Sequence, residues 1–565
     1  MSDIKLISLG GVREDGKNMY VVEVNDTLYI LDCGLIYPPD EMLGIDVMIP
    51  DFTYLKEHED QIAGVFLTHE HADAIGALPY LLREIEVPVF GTELTISLAK
   101  LECNRLGVKN YKDFYVIDES NEIEFDDVTV KFFNTTHSVP ESVGISIVTD
   151  EGAIVYTGDF KFDMTVGADY QTDFKRINEI ANDGVLALLS ESQQAESPIS
   201  NAPEIELEQA IMAEFQKAAG RVIVAATESN ILRIQQIIDV AHRVHRHIFL
   251  SGDDVEKIID VAIRYNKLTI PSKDLFKQMD ELGKYKDHEI VILETGTTAE
   301  PLMALQKMAQ NQHGTLNIQD GDMVMLATTP SAGMETIVAD TKDIVYRAGG
   351  RTVDLYEEYH SSGHATPKDL QLMIQLMRPQ YVFPVSGEYR LMHAHRKLAL
   401  DCGIPDERIY LMDKGDVLHY QDGTMYLMAS VPAANVLIDG SGVGDIGNIV
   451  LKDRRILSED GIFVIIATIS RNEGKILAGP EVISRGFVFM KQSTDIIEGS
   501  KALATDVLNE SLQHLDQFDW STLKGDIREA IGKYLYQETQ RRPMILPVIM
   551  EASTRRKKRN FKKKS

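Results

Sequence analysis

Apolar and polar residues along this 565-residue chain change period several times, and each change marks a different kind of element. Over residues 4–34, apolar runs alternate with turn chemistry. Ile7-Ser8-Leu9 leads into a glycine-rich stretch from Gly10 to Asn18, residues 19–24 form a second apolar run, and after Asn25-Asp26 the chain returns through residues 28–34. This pattern predicts a β-meander. Val65-Phe66-Leu67 predicts a strand that stops at Thr68-His69-Glu70-His71-Ala72-Asp73-Ala74, with Asp73 placed to cap a short helix over residues 74–82. A strand at 87–91, a helix at 92–106 and paired strands across 116–133 follow, the last running into Thr136-His137-Ser138. One more apolar strand ends at Thr157-Gly158-Asp159.

After Leu189 the pattern becomes an alternation: helix 205–218, strand 222–226, helix 231–244, strand 248–250, helix 254–265, and strands at 290–293 and 323–326. Such alternation predicts an inserted α/β domain with a parallel sheet. Beyond His360-Ser361-Ser362-Gly363-His364 come a helix (367–377) and a strand (381–385). Residues 440–460 are rich in glycine and read as a linker. Strands at 462–468 and 487–489, helices at 500–515 and 522–539 and a closing strand at 545–550 make a small α+β unit. The layout is therefore a body (1–205, resumed at 351–430), an insertion (206–350), a linker (431–460), a last domain (461–552) and a tail (553–565).

The chemistry sits where strands end. Residues two apart on a helix point roughly 200° apart, so His69 and His71 can share a metal only from an extended or looped backbone. His137 and Asp159, each just beyond an apolar strand, would by themselves read as structural residues. Three successive strand ends converging at one sheet edge bring all four together, and three imidazoles with one carboxylate suit Zn²⁺, with a position left for water. Asp32, at another strand end, is either a support for a ligand histidine or a turn former. The loop 360–364 offers hydroxyls, backbone N–H groups and imidazoles suited to a phosphate, although by itself it reads as a polar loop before a helix. The glycine loop at 10–18 precedes a strand and has neither dinucleotide nor P-loop spacing.

Composition narrows the picture. A chain of this length divides into about three or four domains. Cys33, Cys103 and Cys402 are too few and too scattered for a disulfide framework or a thiolate metal cluster, so any metal falls to His and carboxylates. No apolar run approaches the roughly 20 residues of a membrane span, and the first residues lack a signal-peptide layout, which points to the cytoplasm and to no membrane partner. A net charge of −30 argues against nucleic acid as a general partner. The stretch 555–564 reverses this locally with eight cations and no anion; it reads as a solvated end, or as a cationic arm able to bind RNA weakly or to contact acidic surfaces of its own assembly.

Together, Gly10-Gly11 with Asn18-Met19-Tyr20, Thr68 to Asp73, His137, Tyr156 to Lys161, Ser362-Gly363-His364, Gly387 to Arg390 and Gly442 to Val450 resemble bacterial ribonuclease J, a β-CASP member of the metallo-β-lactamase superfamily. The resemblance spans nearly the whole chain. It implies an αββα metallo-β-lactamase sandwich, an inserted β-CASP domain and a C-terminal α+β domain that helps dimerisation. It implies metal ligands His69, His71, Asp73, His137 and Asp159, catalytic roles for Asp73 and His364, and substrate binding by His360, Ser361, Ser362, Gly363, His364 and Glu191. Gln193-Gln194 departs from the pattern after Glu191.

Two departures change the functional expectation. Ala74 and Ser386 stand where the family carries metal-binding histidines, and both losses fall on the same metal. One zinc site keeps His69, His71, His137 and Asp159. The second keeps Asp73 and Asp159, a pair suited to weakly held Mg²⁺ or Mn²⁺. The chain thus resembles the degenerate member of a ribonuclease J pair: a metal-dependent 5′-to-3′ exoribonuclease with an endonuclease capacity, weak in intrinsic activity, in rRNA maturation and mRNA decay. The alternative is a non-catalytic RNA-binding subunit that stabilises an active paralogue. A hydrolase of small thioesters or lactams would leave the insertion and the Ser-Ser-Gly-His loop without a purpose. Expected partners are RNA, preferably 5′-monophosphorylated, a second copy or an active paralogue, and components of an RNA degradosome.

Overall fold

The computed structural model describes residues 2–552 except 40–41, 253–254, 298, 329–333, 361, 441, 445, 489–492 and 516–517. Ser361 and the basic tail thus lie outside the described residues. The chain forms two compact units, one of residues up to 36 with 48–436, the other of 37–47 with residues from 437 on.

The first unit is built on three sheets. The opening meander forms as its alternation predicts: Ile4–Ser8, Tyr20–Val24 and Thr27–Leu31 pair antiparallel. They extend through Ile62–Phe66, Val89–Gly91 and Phe114–Val116 on one side and Val417–Gln421 and Thr424–Leu427 on the other into an eight-stranded sheet. A six-stranded sheet runs Tyr381–Val385, Val185–Glu191, Gly152–Tyr156, Val143–Thr149, Thr129–Asn134, Glu122–Glu124. The inward faces of both sheets share one apolar core that includes Tyr20, Phe66, Phe132, Ile145, Tyr156 and Phe383. On its other face the six-stranded sheet packs against helices Phe174–Asn182, Pro367–Met377 and Tyr389–Asp401. Sheet faces buried on both sides explain the nearly unbroken apolar runs in their sequence.

The insertion carries a six-stranded, all-parallel sheet in the order Phe276–Lys277, His247–Ser251, Ile290–Gly296, Val222–Thr227, Met323–Leu326, Arg351–Asp354. Apolar clusters cover both of its faces, as βα alternation requires.

In the second unit Lys475–Arg485, Ile462–Ser470 and Met544–Glu551 form a three-stranded sheet packed against helices Thr494–Gln513 and Trp520–Thr539. Two expectations fail here. The strand placed at 487–489 is instead Lys475–Arg485, and Phe487 packs edge-on to Phe463 at 5.9 Å outside any strand, while Phe489 falls outside the described residues. The true strand is hidden in sequence by Gly479-Pro480 and is an edge strand, where a proline is tolerated. The stretch expected to be a linker contains the helix Asn448–Glu459. Its glycines stop at Gly447, and Leu451, Lys452, Arg454, Arg455 and Leu457 are good helix formers.

Candidate metal and RNA site

His69 and His71 lie in the loop after Ile62–Phe66, so the looped geometry expected from their i, i+2 spacing is present. Asp73 does not cap the following helix. His71 takes the N-cap position of Ala72–Ile75, Asp73 sits in the first turn, and its Oδ2 accepts from Asn18 Nδ2 at 2.8 Å. The strand ends also do not share one sheet edge. His69 and His71 follow a strand of the eight-stranded sheet, whereas His137 follows Thr129–Asn134 and Asp159 follows Gly152–Tyr156 in the six-stranded sheet. The site lies across the end of the sandwich, where two sheets that share one core bring their strand ends together.

Four groups converge there. His71 Nδ1 and His137 Nε2 are 3.3 Å apart, His69 Nε2 is 3.7 Å from Asp159 Oδ2, and His137 Nε2 is 4.0 Å from the same oxygen. A tetrahedron of ligands about 2.05 Å from a central zinc has edges of about 3.3 Å, so the spacing fits a metal with slight contraction. The far sides of two of the three rings support the same fit. Thr68 Oγ1 donates to Asp32 Oδ2 at 2.9 Å and accepts from His69 Nδ1 at 2.9 Å, which places the His69 proton on Nδ1 and a lone pair on Nε2. His137 Nδ1 donates to Gly363 O at 2.9 Å, again freeing Nε2. Both His69 Nε2 and Asp159 Oδ2 are buried without any hydrogen-bond partner. Leaving two such atoms unpaired is unfavourable, and a cation would satisfy both. Burial also holds the His69 and His137 imidazoliums well below their ordinary range and lowers His71, so all three rings are neutral ligands.

Asp32 acts from behind. Its carboxylate accepts from Thr68 N at 2.8 Å and from Tyr156 OH at 2.9 Å, and burial raises its pKa to about 7 against those hydrogen bonds. Asp32 also adopts a positive φ of 59° just after its strand, with no turn at that position.

His364 approaches from the loop after Leu355–Tyr359. Its Nδ1 is 3.0 Å from Glu191 Oε2 and 3.7 Å from Asp159 Oδ2. Burial would lower this imidazolium, but the two carboxylates raise its pKa to about 10. Glu191 is itself fully engaged: beyond His364, its Oε1 accepts from Phe160 N and Ala365 N. Ser362 Oγ accepts from His364 N at 3.2 Å, and Ser362 and Gly363 line a small recess with Ser138, Lys161, Asn230 and Arg233. His360 ends its helix in the left-handed region at φ 50° and lies 6.5 Å from the Tyr356 ring, with no hydrogen bond to this cluster among the described residues.

At the two departures the structure places no nitrogen ligand. Ala74 is completely buried. Ser386 takes φ 48°, donates its N–H to Gly11 O at 2.6 Å, and accepts from Gln193 Nε2 at 3.3 Å. Asn18, Thr68 and Tyr156 hold the site without having been singled out for it. Only the fold brings Asn18 to Asp73 and brings Thr68 and Tyr156 to Asp32.

The metallo-beta-lactamase superfamily model matches residues 12–189, the ribonuclease J beta-CASP domain 219–344, the Zn-dependent metallo-hydrolase RNA specificity domain 355–407, and the ribonuclease J C-terminal domain 449–552. Ribonuclease J 2 of Streptococcus pyogenes serotype M3 is 48% identical over 552 residues, covering 98% of this chain and all of the relative. Ribonuclease J 2 of Staphylococcus aureus is 43% identical over 549 residues, covering 97% and 98%. The crystal structure of a protein of unknown function from Enterococcus faecalis V583 shares the fold at a TM-score of 0.51 and 17% identity, covering 74% of this chain and all of that one. Matches of this extent, on a sandwich whose sheet ends gather three histidines and an aspartate, establish that the chain belongs to the ribonuclease J family.

Proposed function

We propose that this chain is an RNA-processing and RNA-decay protein with one intact zinc site and a depleted second site. Its activity is 5′-to-3′ exonucleolytic with an endonuclease capacity, slow by itself, and serves rRNA maturation and mRNA decay in the cytoplasm. The observation that carries the reading is the unpaired pair His69 Nε2 and Asp159 Oδ2 inside a complete set of three histidines and one aspartate, beside Ala74 and Ser386.

In this reading His69, His71, His137 and Asp159 hold the ion. The chemistry it supplies when bound is Lewis acidity toward a phosphodiester and toward water. Asp73, steered by Asn18, takes the proton of the attacking water. His364, held at Nδ1 by Glu191, presents its other ring nitrogen to the scissile phosphate. Glu191 works through His364 and does not contact RNA itself. Ser362, Gly363 and the neighbouring Ser361 seat the 5′-phosphate, with His360 at the rim of that loop. Without histidines at 74 and 386 the second clamp on the phosphodiester is missing, a loss on the order of 10²- to 10³-fold by analogy with removing one oxyanion donor.

Metal per chain, measured on the purified protein and again after Ala74→His with Ser386→His, tests the reading. One zinc rising to two metals, with a rise in exonuclease rate, supports it; two tightly held metals in the unaltered chain would sink it. The second reading, a non-catalytic subunit that binds RNA alongside a second copy, an active paralogue or degradosome components, is favoured by the same two substitutions. Under it, affinity for 5′-monophosphorylated RNA survives His69→Ala with His71→Ala and falls at least tenfold with Ser362→Ala and His364→Ala.

A further inference from the structure

Arg528, Gly532, Lys533 and Tyr536 run along one side of the helix Trp520–Thr539, because residues three and four apart share a helix face. The helix ends at Gln540 in the left-handed region, φ 57°, and the chain turns back into the strand Met544–Glu551. Arg542 and Pro543 stand just before that strand, where Asp460 Oδ2 accepts from Arg542 N at 2.9 Å. Between the helical stripe and Arg542, Pro543 and Ile545 opens a groove of about 390 Å³. At Gly532 the helix comes so close to the strand that a methyl group would already touch Ile545 Cδ1, at 3.4 Å.

The groove is lined by three cations and one anion, on a chain whose net charge is −30. Lys533 pairs with that anion, Glu529, at 2.6 Å, but both are largely exposed and water screens the pair. Arg528 and Arg542 have no carboxylate partner among the described residues. Arg528 Nε only reaches Ile545 O at 3.5 Å, and the Arg542 guanidinium lies over the Tyr536 ring, 4.5 Å from its centre. A concave cationic surface with an aromatic ring suits a ligand that alternates phosphates with flat bases. Phosphates answer the two guanidiniums, and a base stacks on the Arg542–Tyr536 pair. The stripe from 528 to 536 is about 12 Å long, the rise of about three stacked nucleotides. An acidic peptide would use the cations and leave the ring without a role.

We propose that this groove binds single-stranded RNA by its backbone and one stacked base, through residues other than those that seat the 5′-phosphate. The proposal rests on the reading of this chain as an RNA-binding protein given above.

The test is fluorescence anisotropy of the full chain with a 3′-labelled oligouridylate of about 16 nucleotides, carrying a 5′-hydroxyl so that the 5′-phosphate loop has nothing to hold. Arg528→Ala with Arg542→Ala is expected to weaken binding at least fivefold. It should also make the slope of log affinity against log salt less steep by about 1.4, two phosphates at about 0.7 each. Arg528→Lys with Arg542→Lys should keep the slope, and Tyr536→Leu should weaken binding about tenfold at unchanged slope. All three side chains are exposed, so the unfolding midpoint should stay where it is. Unchanged affinity in the double alanine variant, a loss without change of slope, binding of 5′-monophosphorylated RNA alone, or equal displacement of the RNA by oligoglutamate would each overturn the groove as an RNA site. Full affinity in Tyr536→Leu would overturn the stacked base. An unaltered chain that binds neither 5′-hydroxyl nor 5′-monophosphorylated RNA would instead remove the reading on which the proposal rests.

Discussion

A methyl group on Gly363 would lie 2.9 Å from both Cε1 and Nδ1 of His137, inside the contact distance of either atom. The same glycine's carbonyl fixes the His137 proton on Nδ1, so position 363 sets both where the ring lies and which nitrogen it offers. Gly363→Ala is therefore expected to lower zinc affinity at least tenfold, measured by competition with a chromogenic chelator, with little change in the unfolding midpoint. Asp32→Asn acts on His69 from further back, through Thr68. Groups that orient metal-bound histidines are worth about 10- to 100-fold in affinity, and the same assay should show a loss of that size. Residues of this kind divide sharply in how readable they are. His69 and His71 stand out by their spacing after an apolar strand, whereas His137 and Asp159 gain meaning only in combination with them. Asn18 sits in a loop whose composition says only that it turns, and its partner Asp73 lies tens of residues away.

The helices Glu204–Lys217 and Ile231–Arg243 of the insertion are tied to the body through one buried carboxylate. Glu204 pairs with Lys161 Nζ at 2.7 Å and Arg233 Nη2 at 3.3 Å, and accepts from Gln236 Nε2 at 3.0 Å. Burial would raise its acid, but Arg233 and Lys161 bring it down to about 2. A depressed carboxyl stabilises the fold above its unfolded pKa of about 4.3 and loses that contribution as pH falls toward the folded value. The shift corresponds to about 3 kcal/mol, in the range for breaking a buried ion pair. Glu204→Gln should thus destabilise the first unit by about 3 kcal/mol at pH 7 in denaturant unfolding, and the gap from the unaltered chain should close between pH 4.5 and pH 2. At this scale the alternation of strands and helices was legible in the insertion because a parallel sheet buries both of its faces. Lys475–Arg485 and Asn448–Glu459 were not, since an edge strand keeps its proline and a short exposed helix beside a glycine run has no strong period of its own.

Across the whole molecule, a net charge of −30 sits on a protein whose family acts on RNA. Binding must therefore come from a few placed groups rather than from a broad cationic face, and the plot of log affinity against log salt should be shallow, each phosphate neutralised on a single strand contributing about −0.7 to the slope. Removing residues 553–565 is expected to flatten it further while leaving the preference for a 5′-monophosphate intact, as filter binding of 5′-phosphorylated and 5′-hydroxyl RNA at several salt concentrations would show. Among the described residues no helix is long and apolar enough to cross a membrane. Local pattern by itself determined the β-meander and the parallel-sheet insertion, because periodicity is a property of neighbouring positions, while the departures at Ala74 and Ser386 are visible only against the motifs of a resembled family. Tertiary structure alone decided that the metal-competent residues come from two sheets rather than one edge, that Glu191 stands behind His364, and that the loop 10–18 touches both Asp73 and Ser386, because those contacts join segments that approach only when the sandwich closes.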